Sequence, residues 1–278
     1  MAFVGAESGG QVSRPLVFDL EESVRFVEAR SDFLRGFMAT FREPLQLRTA
    51  LDVGCGVGYF SRLLQEMGFE VSAFDGRQGN VEEARRRHPG VRFFAADVEE
   101  LNAEQIGTFD FVLCLGLLYH LENPLRAMRR LRAMTGKLLL IETVCAPEQA
   151  PLIYLRDESA FDDQALNAVA CYPSEGALVK MAYRAGFPAV YRTARLPEHE
   201  DFHARLGRKP RRTIIVAPVS PLKDSSLVLV DEPSGRGDLW STDNTGLIGM
   251  GRRLQRFMKH PWSEKWARLR RRYGPTGK

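Results

Sequence analysis

With 278 residues, 44% of them apolar and 27% charged, the chain is long and apolar enough to bury a sizeable core, which excludes the disordered and fibrous classes. Its net charge of +4 is unevenly spread, because residues 252–278 hold ten Lys or Arg against the single acid Glu264, and the +9 of that tail leaves −5 elsewhere. No run approaches the ~20 apolar residues of a membrane span, and Met1–Gly10 lack the basic-then-apolar pattern of a signal peptide, so a soluble cytoplasmic protein is expected.

Residues 1–14 are expected to be loose. Residues 20–42 carry Leu20, Val24, Val27, Phe33, Leu34, Phe37, Met38 and Phe41 at mostly helical spacing and predict a helix. Leu51-Asp52-Val53 then runs into Gly54-Cys55-Gly56-Val57-Gly58, and Tyr59-Phe60-Ser61-Arg62-Leu63-Leu64 continues as an amphipathic helix. Such a strand–turn–helix suits a nucleotide-like ligand. Glycines let a ligand approach the main chain, and the first N–H groups of the helix offer hydrogen bonds.

Three later stretches repeat the pattern. Val71–Phe74 ends in Asp75, Val91–Ala96 ends in Asp97, and Phe109–Leu115 leads into Gly116-Leu117-Leu118-Tyr119-His120. Short apolar strands alternating with helices predict an α/β, Rossmann-like sheet, mostly parallel, with helices on both faces. Polar residues at the strand ends then collect at the carboxyl edge, where such sheets bind ligands. Asp75 is read as a ribose acceptor or as a helix cap, and Asp97 as a ligand contact or as the cap of a helix over Val98–Ile106.

Further along, residues 144–173 break the rhythm as a long polar connection, taken as an acceptor-side insertion. Ser174 is placed as the cap of a helix over Glu175–Ala185, without a capping box. Val190–Thr193 and Thr213–Val219 read as the last two strands, and Leu227–Val230 as a short strand candidate. Within residues 252–278, Leu254, Phe257, Met258, Trp262, Trp266 and Leu269 interleave with the basic residues. This basic tail suits packing on the domain, an anionic membrane surface or a nucleic acid such as tRNA.

The combination of LDVGCGVG at 51–58, Asp75, Ala96-Asp97-Val98 and FDFVLCLGLLYHLENP at 109–124 resembles the class I S-adenosylmethionine-dependent methyltransferases over roughly residues 45–217. The resemblance implies that Gly54, Gly56 and Gly58 lie under the methionine part of S-adenosyl-L-methionine, with Asp52 orienting the loop. It places Asp75 on the ribose, Asp97 with Val98 at the adenine edge, and Leu115 along the site. It also implies an antiparallel hairpin at the sheet edge and a lid made by the N-terminal helix. The expected division is an arm and lid helix over 1–44, a methyltransferase domain over 45–219 and a C-terminal extension over 220–278.

A finer likeness joins Gly116–His120, Leu139–Thr143, Asn167 and Pro173-Ser174, which are similar to the tRNA wobble-uridine (carboxy)methyltransferase family. It implies that Tyr119 helps to hold a carboxylate on the donor. That family takes a basic carboxylate ligand from a long N-terminal region, and no residue here matches it, so ordinary S-adenosylmethionine is the expected donor.

Methyl transfer to oxygen needs alignment and removal of a proton. His120 is the first candidate base because histidine titrates near neutral pH; its alternative is a structural bond to a loop. Glu142, past the fifth strand, is the second, and Tyr119 is a pocket wall or plain packing. The expected acceptor is a small molecule or a glycan-type intermediate, with a tRNA-modifying enzyme and a non-catalytic cofactor-binding module as the rivals. Neither the histidines (88, 120, 199, 203, 260) nor the four cysteines have metal-site spacing, and no metal is expected.

Overall fold

Short runs of aliphatic and β-branched residues between turn signals become the strands of one large sheet. The computed structural model describes residues 16–148, 150–158, 164–203 and 211–233. A single 3-10 turn, Val17–Asp19, precedes helix α1 (Glu21–Phe41). There follow β1 (Thr49–Val53), α2 (Tyr59–Glu66), β2 (Glu70–Asp75), α3 (Gln78–Arg87), β3 (Arg92–Ala95), α4 (Ala103–Ile106) and β4 (Phe109–Leu115). A second 3-10 turn, Leu118–His120, leads to α5 (Pro124–Met134) and β5 (Thr135–Cys145). The remaining elements are β6 (Ile153–Asp157), β7 (Val169–Pro173), α6 (Glu175–Arg184), β8 (Tyr191–Thr193), α7 (Glu200–His203), β9 (Arg211–Pro218) and β10 (Leu227–Leu229).

The large sheet has the order β10-β8-β9-β5-β4-β1-β2-β3. Strands β1 to β5 are parallel, while β9, β8 and β10 form an antiparallel edge. Strand order reverses at β1 and β4, so a crevice opens beyond their carboxyl ends. Both faces are covered. Phe111, Leu113, Leu138 and Leu140 pack with Leu34 and Phe37 of α1 and Leu63 and Leu64 of α2. Their chain neighbours Val112, Cys114, Leu139 and Ile141 pack on the opposite face with Met128 and Leu131 of α5 and Leu178 of α6. Each such fully buried aliphatic or aromatic side chain contributes about 1.5–3 kcal/mol over its exposed state.

Several expectations meet a different local structure. Residues 144–173 are not a polar connection throughout. Val144 and Cys145 prolong β5 by pairing with Arg212 and Arg211, and β6 and β7 form a separate antiparallel hairpin with Tyr154 opposite Tyr172. All five β6 residues are exposed, so the strand carries no in–out alternation of the kind that marks a half-buried strand. The helix considered over Val98–Ile106 is limited to α4, and its cap is Asn102, which forms a reciprocal capping box with Gln105. Ser174 does cap α6, accepting from the Ala177 amide at 3.1 Å.

Strand β10 adds to the outer edge of the sheet by pairing with β8, so the sheet includes residues of the expected C-terminal extension. Residues 1–15 and the basic tail 252–278 lie outside the described residues. Among the described residues, no helix is long and apolar enough to cross a membrane.

Candidate active site

The site grows from the turn after β1. Gly54 and Gly56 have φ of +72° and +52°, in the left-handed region that glycine enters without steric cost. Amides 54 and 55 donate to the Phe74 carbonyl at 2.9 and 3.0 Å, tying the loop to the end of β2. Asp75 completes the tie. Its Oδ2 accepts from the Gly56 amide at 2.9 Å, and its Oδ1 accepts from the Arg77 amide at 2.9 Å and Asn80 Nδ2 at 3.1 Å.

Beneath the loop, Asp52 is buried and accepts the Ser61 hydroxyl at 2.6 Å; burial, opposed by that bond, pushes its carboxyl up to about 6. Gly58 turns the other way, toward His88 and Phe93. Cys55 is buried, and its thiol is pushed up by the loss of solvent, which suits a small packing residue.

A cavity of about 310 Å³ lies over this loop. Gly54, Gly56, Asp75, Asp97, Val98, Leu115, Tyr119 and His120 all line it; Asp52, Gly58 and Glu142 are not among the lining residues. Asp97 accepts from the Glu99 amide at 2.8 Å, which turns the chain sharply after β3. Helix α1 contributes Phe26, Val27 and Arg30 to the wall. The Val17–Asp19 turn also closes on it. The Phe18 ring stands 3.1 Å from where a Gly56 side chain would begin. Asp19 is pinned by two bonds from Arg87 at 2.8 and 2.7 Å and by the Tyr59 hydroxyl at 2.6 Å. These donors hold its carboxyl down at about 2.

Glu142 has no solvent exposure and sits between two guanidinium groups, Arg30 Nη1 at 3.1 Å and Arg212 Nη1 at 2.8 Å. Arg212 Nη2 also donates to the Tyr119 hydroxyl at 3.4 Å, and both guanidinium groups pack on the Phe26 ring, 3.9 and 4.5 Å from its centroid. Tyr119 is buried, which raises its hydroxyl above the usual range. His120 ends the Leu118–His120 turn with Nδ1 2.6 Å from Glu158 Oε2. Of the sequence candidates the structure therefore brings eight to one cavity, and sets Asp52, Gly58 and Glu142 behind its wall.

Arg30, Arg212, Glu158 and Phe18 were not candidates from the sequence. Arg30 had a legible signal, since it interrupts the apolar stripe Val27, Leu34, Phe37 of α1. Glu142, already a candidate from the sequence, carried a further signal, because an acid directly after Leu138-Leu139-Leu140-Ile141 demands a buried partner. His199 and His203 flank and end the single turn α7, where His203 Nε2 meets the Pro197 carbonyl at 3.1 Å. Among the described residues, no group of three or more His, Cys, Asp or Glu is placed to hold a metal.

A family model described as a methyltransferase domain matches residues 26–191, more than half of the chain. The chain belongs to the methyltransferase-domain family. The match begins within α1 and ends at the first residue of β8, so it takes in the glycine loop, the strand ends and the His120 turn.

Similarity to curated proteins is partial. The chain is 39% identical over 97 residues to the ubiquinone biosynthesis O-methyltransferase of Xanthomonas oryzae pv. oryzae (strain PXO99A), covering 32% of this chain and 41% of that protein. It is 33% identical over 87 residues to the enzyme of the same name from Caulobacter vibrioides, covering 30% and 34%. The chain thus spans about two fifths or less of the length of these relatives.

Among solved structures, the N-terminal domain of EvdMO1 with SAH bound superposes with a TM-score of 0.57 at 20% identity, over 68% of this chain and 80% of that one. Magnesium protoporphyrin IX methyltransferase (ChlM) from Synechocystis PCC 6803 with bound SAM gives 0.52 at 20% identity, over 74% and 86%. These likenesses establish the fold of this methyltransferase-family member, and its substrate is a separate question.

Proposed function

We propose that this methyltransferase moves a methyl group from S-adenosylmethionine to an oxygen of a small-molecule or glycan-type acceptor. The observation that carries the reading is the convergence of the glycine loop, Asp75, Asp97, Tyr119 and His120 on one cavity. The donor set suits the cofactor. Asp75 accepts hydrogen bonds from Gly56, Arg77 and Asn80, which fix its carboxylate on the cavity wall as the acceptor for a ribose hydroxyl. Gly54 and Gly56 present main chain without side chains to the methionine part, with Arg30 on the wall as a cation for its carboxylate. Asp97 and Val98 take the adenine edge, and Leu115 lines the site. When bound, S-adenosylmethionine supplies an electrophilic methyl group on a sulfonium.

The chain's own residues do the rest. The cavity walls hold the acceptor oxygen in line for attack, which can supply much of the acceleration. His120 takes the hydroxyl proton of the acceptor. Glu142 instead acts as an anchor: both of its oxygens are held by arginines, one from α1 and one from β9. An oxygen acceptor accords with the O-methyltransferase names of the partial relatives.

Calorimetric titration with S-adenosylhomocysteine tests the cofactor assignment. Wild-type protein is expected to bind, Gly56→Val and Asp75→Ala to lose binding at least tenfold, and His120→Ala to bind as wild type. Failure of the wild type to bind, or full binding by Asp75→Ala, would overturn it. A screen of hydroxylated small molecules and sugars with isotopically labelled donor then identifies the acceptor.

A further inference from the structure

The hairpin after β5 places a carboxylate against residues of the cavity wall. Glu158 follows β6 directly, and its side chain is only 6% exposed. A carboxylate so placed is costly unless its hydrogen bonds are met, and here donors reach both oxygens. Oε2 lies 2.6 Å from His120 Nδ1 and accepts the Ala165 amide at 3.0 Å, while Oε1 accepts the Tyr172 hydroxyl at 3.2 Å. Two of these three donors, His120 and Ala165, belong to residues that line the cavity. The third stands on β7, where the Tyr172 ring meets Tyr119 edge-on at 5.3 Å. The arrangement is built from three separate elements, and the group it grips is the imidazole read above as the base.

We propose that Glu158 is the positioning residue for this base: it accepts the proton-bearing Nδ1 of His120, directs proton transfer to Nε2, and stabilises the imidazolium that forms. The inference rests on the reading of His120 as the base. The proton balance closes. The acceptor's O–H bond breaks, its proton passes to Nε2 and its electron pair forms the new O–C bond. The C–S pair leaves with the thioether sulfur, and the imidazolium later returns the proton to water.

A buried carboxylate bonded to imidazole favours the charged imidazolium and fixes the tautomer. Among the described residues, the other polar groups around the pair include Tyr119, whose ring centroid is 3.8 Å from that of His120, Tyr172, and two arginines beyond them. Arg212 reaches the Tyr119 hydroxyl, and Arg156 lies over the Tyr172 ring at 5.1 Å. Burial raises the Tyr119 hydroxyl and pushes that of Tyr172 up to about 12, so neither phenol ionises near neutral pH. The carboxylate that holds His120 thus comes from the β6–β7 hairpin rather than from the core of the sheet.

The test follows the imidazole nitrogens of His120 by NMR in the full chain saturated with S-adenosylhomocysteine, using ¹⁵N-histidine and His120→Gln to assign the signal. The neutral ring of the wild type is expected to carry its proton on Nδ1. Glu158→Gln should move the titration midpoint down by about one unit or more, and Glu158→Asp by less. With the acceptor that the screen yields, Glu158→Gln should lower kcat about a hundredfold while S-adenosylhomocysteine binds as before.

An unmoved midpoint and tautomer in a folded Glu158→Gln protein overturn the proposal, as does an unchanged kcat. Should Glu158→Gln fail to fold, Glu158→Asp decides by the same readouts. Failure of the parent reading looks different: His120→Ala would then turn over at the wild-type rate, or the wild type would not bind S-adenosylhomocysteine.

Discussion

Asp52 shows how a single buried group can tie pH to stability. It lies under the glycine loop, fully removed from water, with the Ser61 hydroxyl as its donor. Burial is the dominant influence and raises the carboxyl to about 6, with the nearby Asp75 adding to the rise. The folded form therefore holds its proton more tightly than the unfolded chain, whose aspartates titrate near 3.9. The stabilisation is fully present below about pH 4 and is lost as pH rises through about 6, a change on the order of 3 kcal/mol. Asp52→Asn keeps an acceptor for Ser61 and removes the titration. Its stability relative to wild type is expected to rise between pH 4 and pH 7 by that amount. Urea unfolding at several pH values measures the difference, and parallel curves would show that Asp52 ionises without penalty.

At the scale of elements, the β6–β7 hairpin depends on helix α6 for its position. Ser174 accepts from the Ala177 amide at 3.1 Å and the Leu152 amide at 3.1 Å, and donates to the Ala150 carbonyl at 2.6 Å. One hydroxyl thus caps α6 and closes the base of the β6–β7 hairpin that carries Glu158. Loss of an N-cap typically costs about 1 kcal/mol and up to 2, and the buried groups left unpaired add to that. Ser174→Ala is expected to lower stability by about 2 kcal/mol, read as a shift in urea midpoint with an unchanged slope. A loss under ~0.5 kcal/mol would mean that water replaces the hydroxyl at both ends.

Across the whole molecule, the Arg30–Glu142–Arg212 cluster joins α1, β5 and β9, segments distant in sequence. Removing one partner from a buried ionic group costs about 3–5 kcal/mol because the remaining charges are stranded. Glu142→Ala is expected to destabilise by that amount and to loosen α1 over the cavity, visible as faster hydrogen exchange in residues 21–41 than in α5. Equal exchange in both helices would show that the apolar stripe alone holds α1. Much of this architecture was legible in the chain itself. The helix at 20–42, the parallel strands and the cap at Ser174 follow from local periodicity and turn chemistry, which depend on neighbours within a few residues. The glycine loop and the acids at 75 and 97 were legible for the same reason, since each sits at a fixed offset from its own strand. Other features were decided only by tertiary structure. The exposed strand β6 has no alternation to betray it, and β10 is too short to announce its partner. The meeting of His120 with Glu158, and of Glu142 with Arg30 and Arg212, joins residues 38, 112 and 70 positions apart. Local sequence can mark Arg30 or Glu142 as needing a partner but cannot name that partner, because it is topology that brings those side chains together and burial that makes each of them require one.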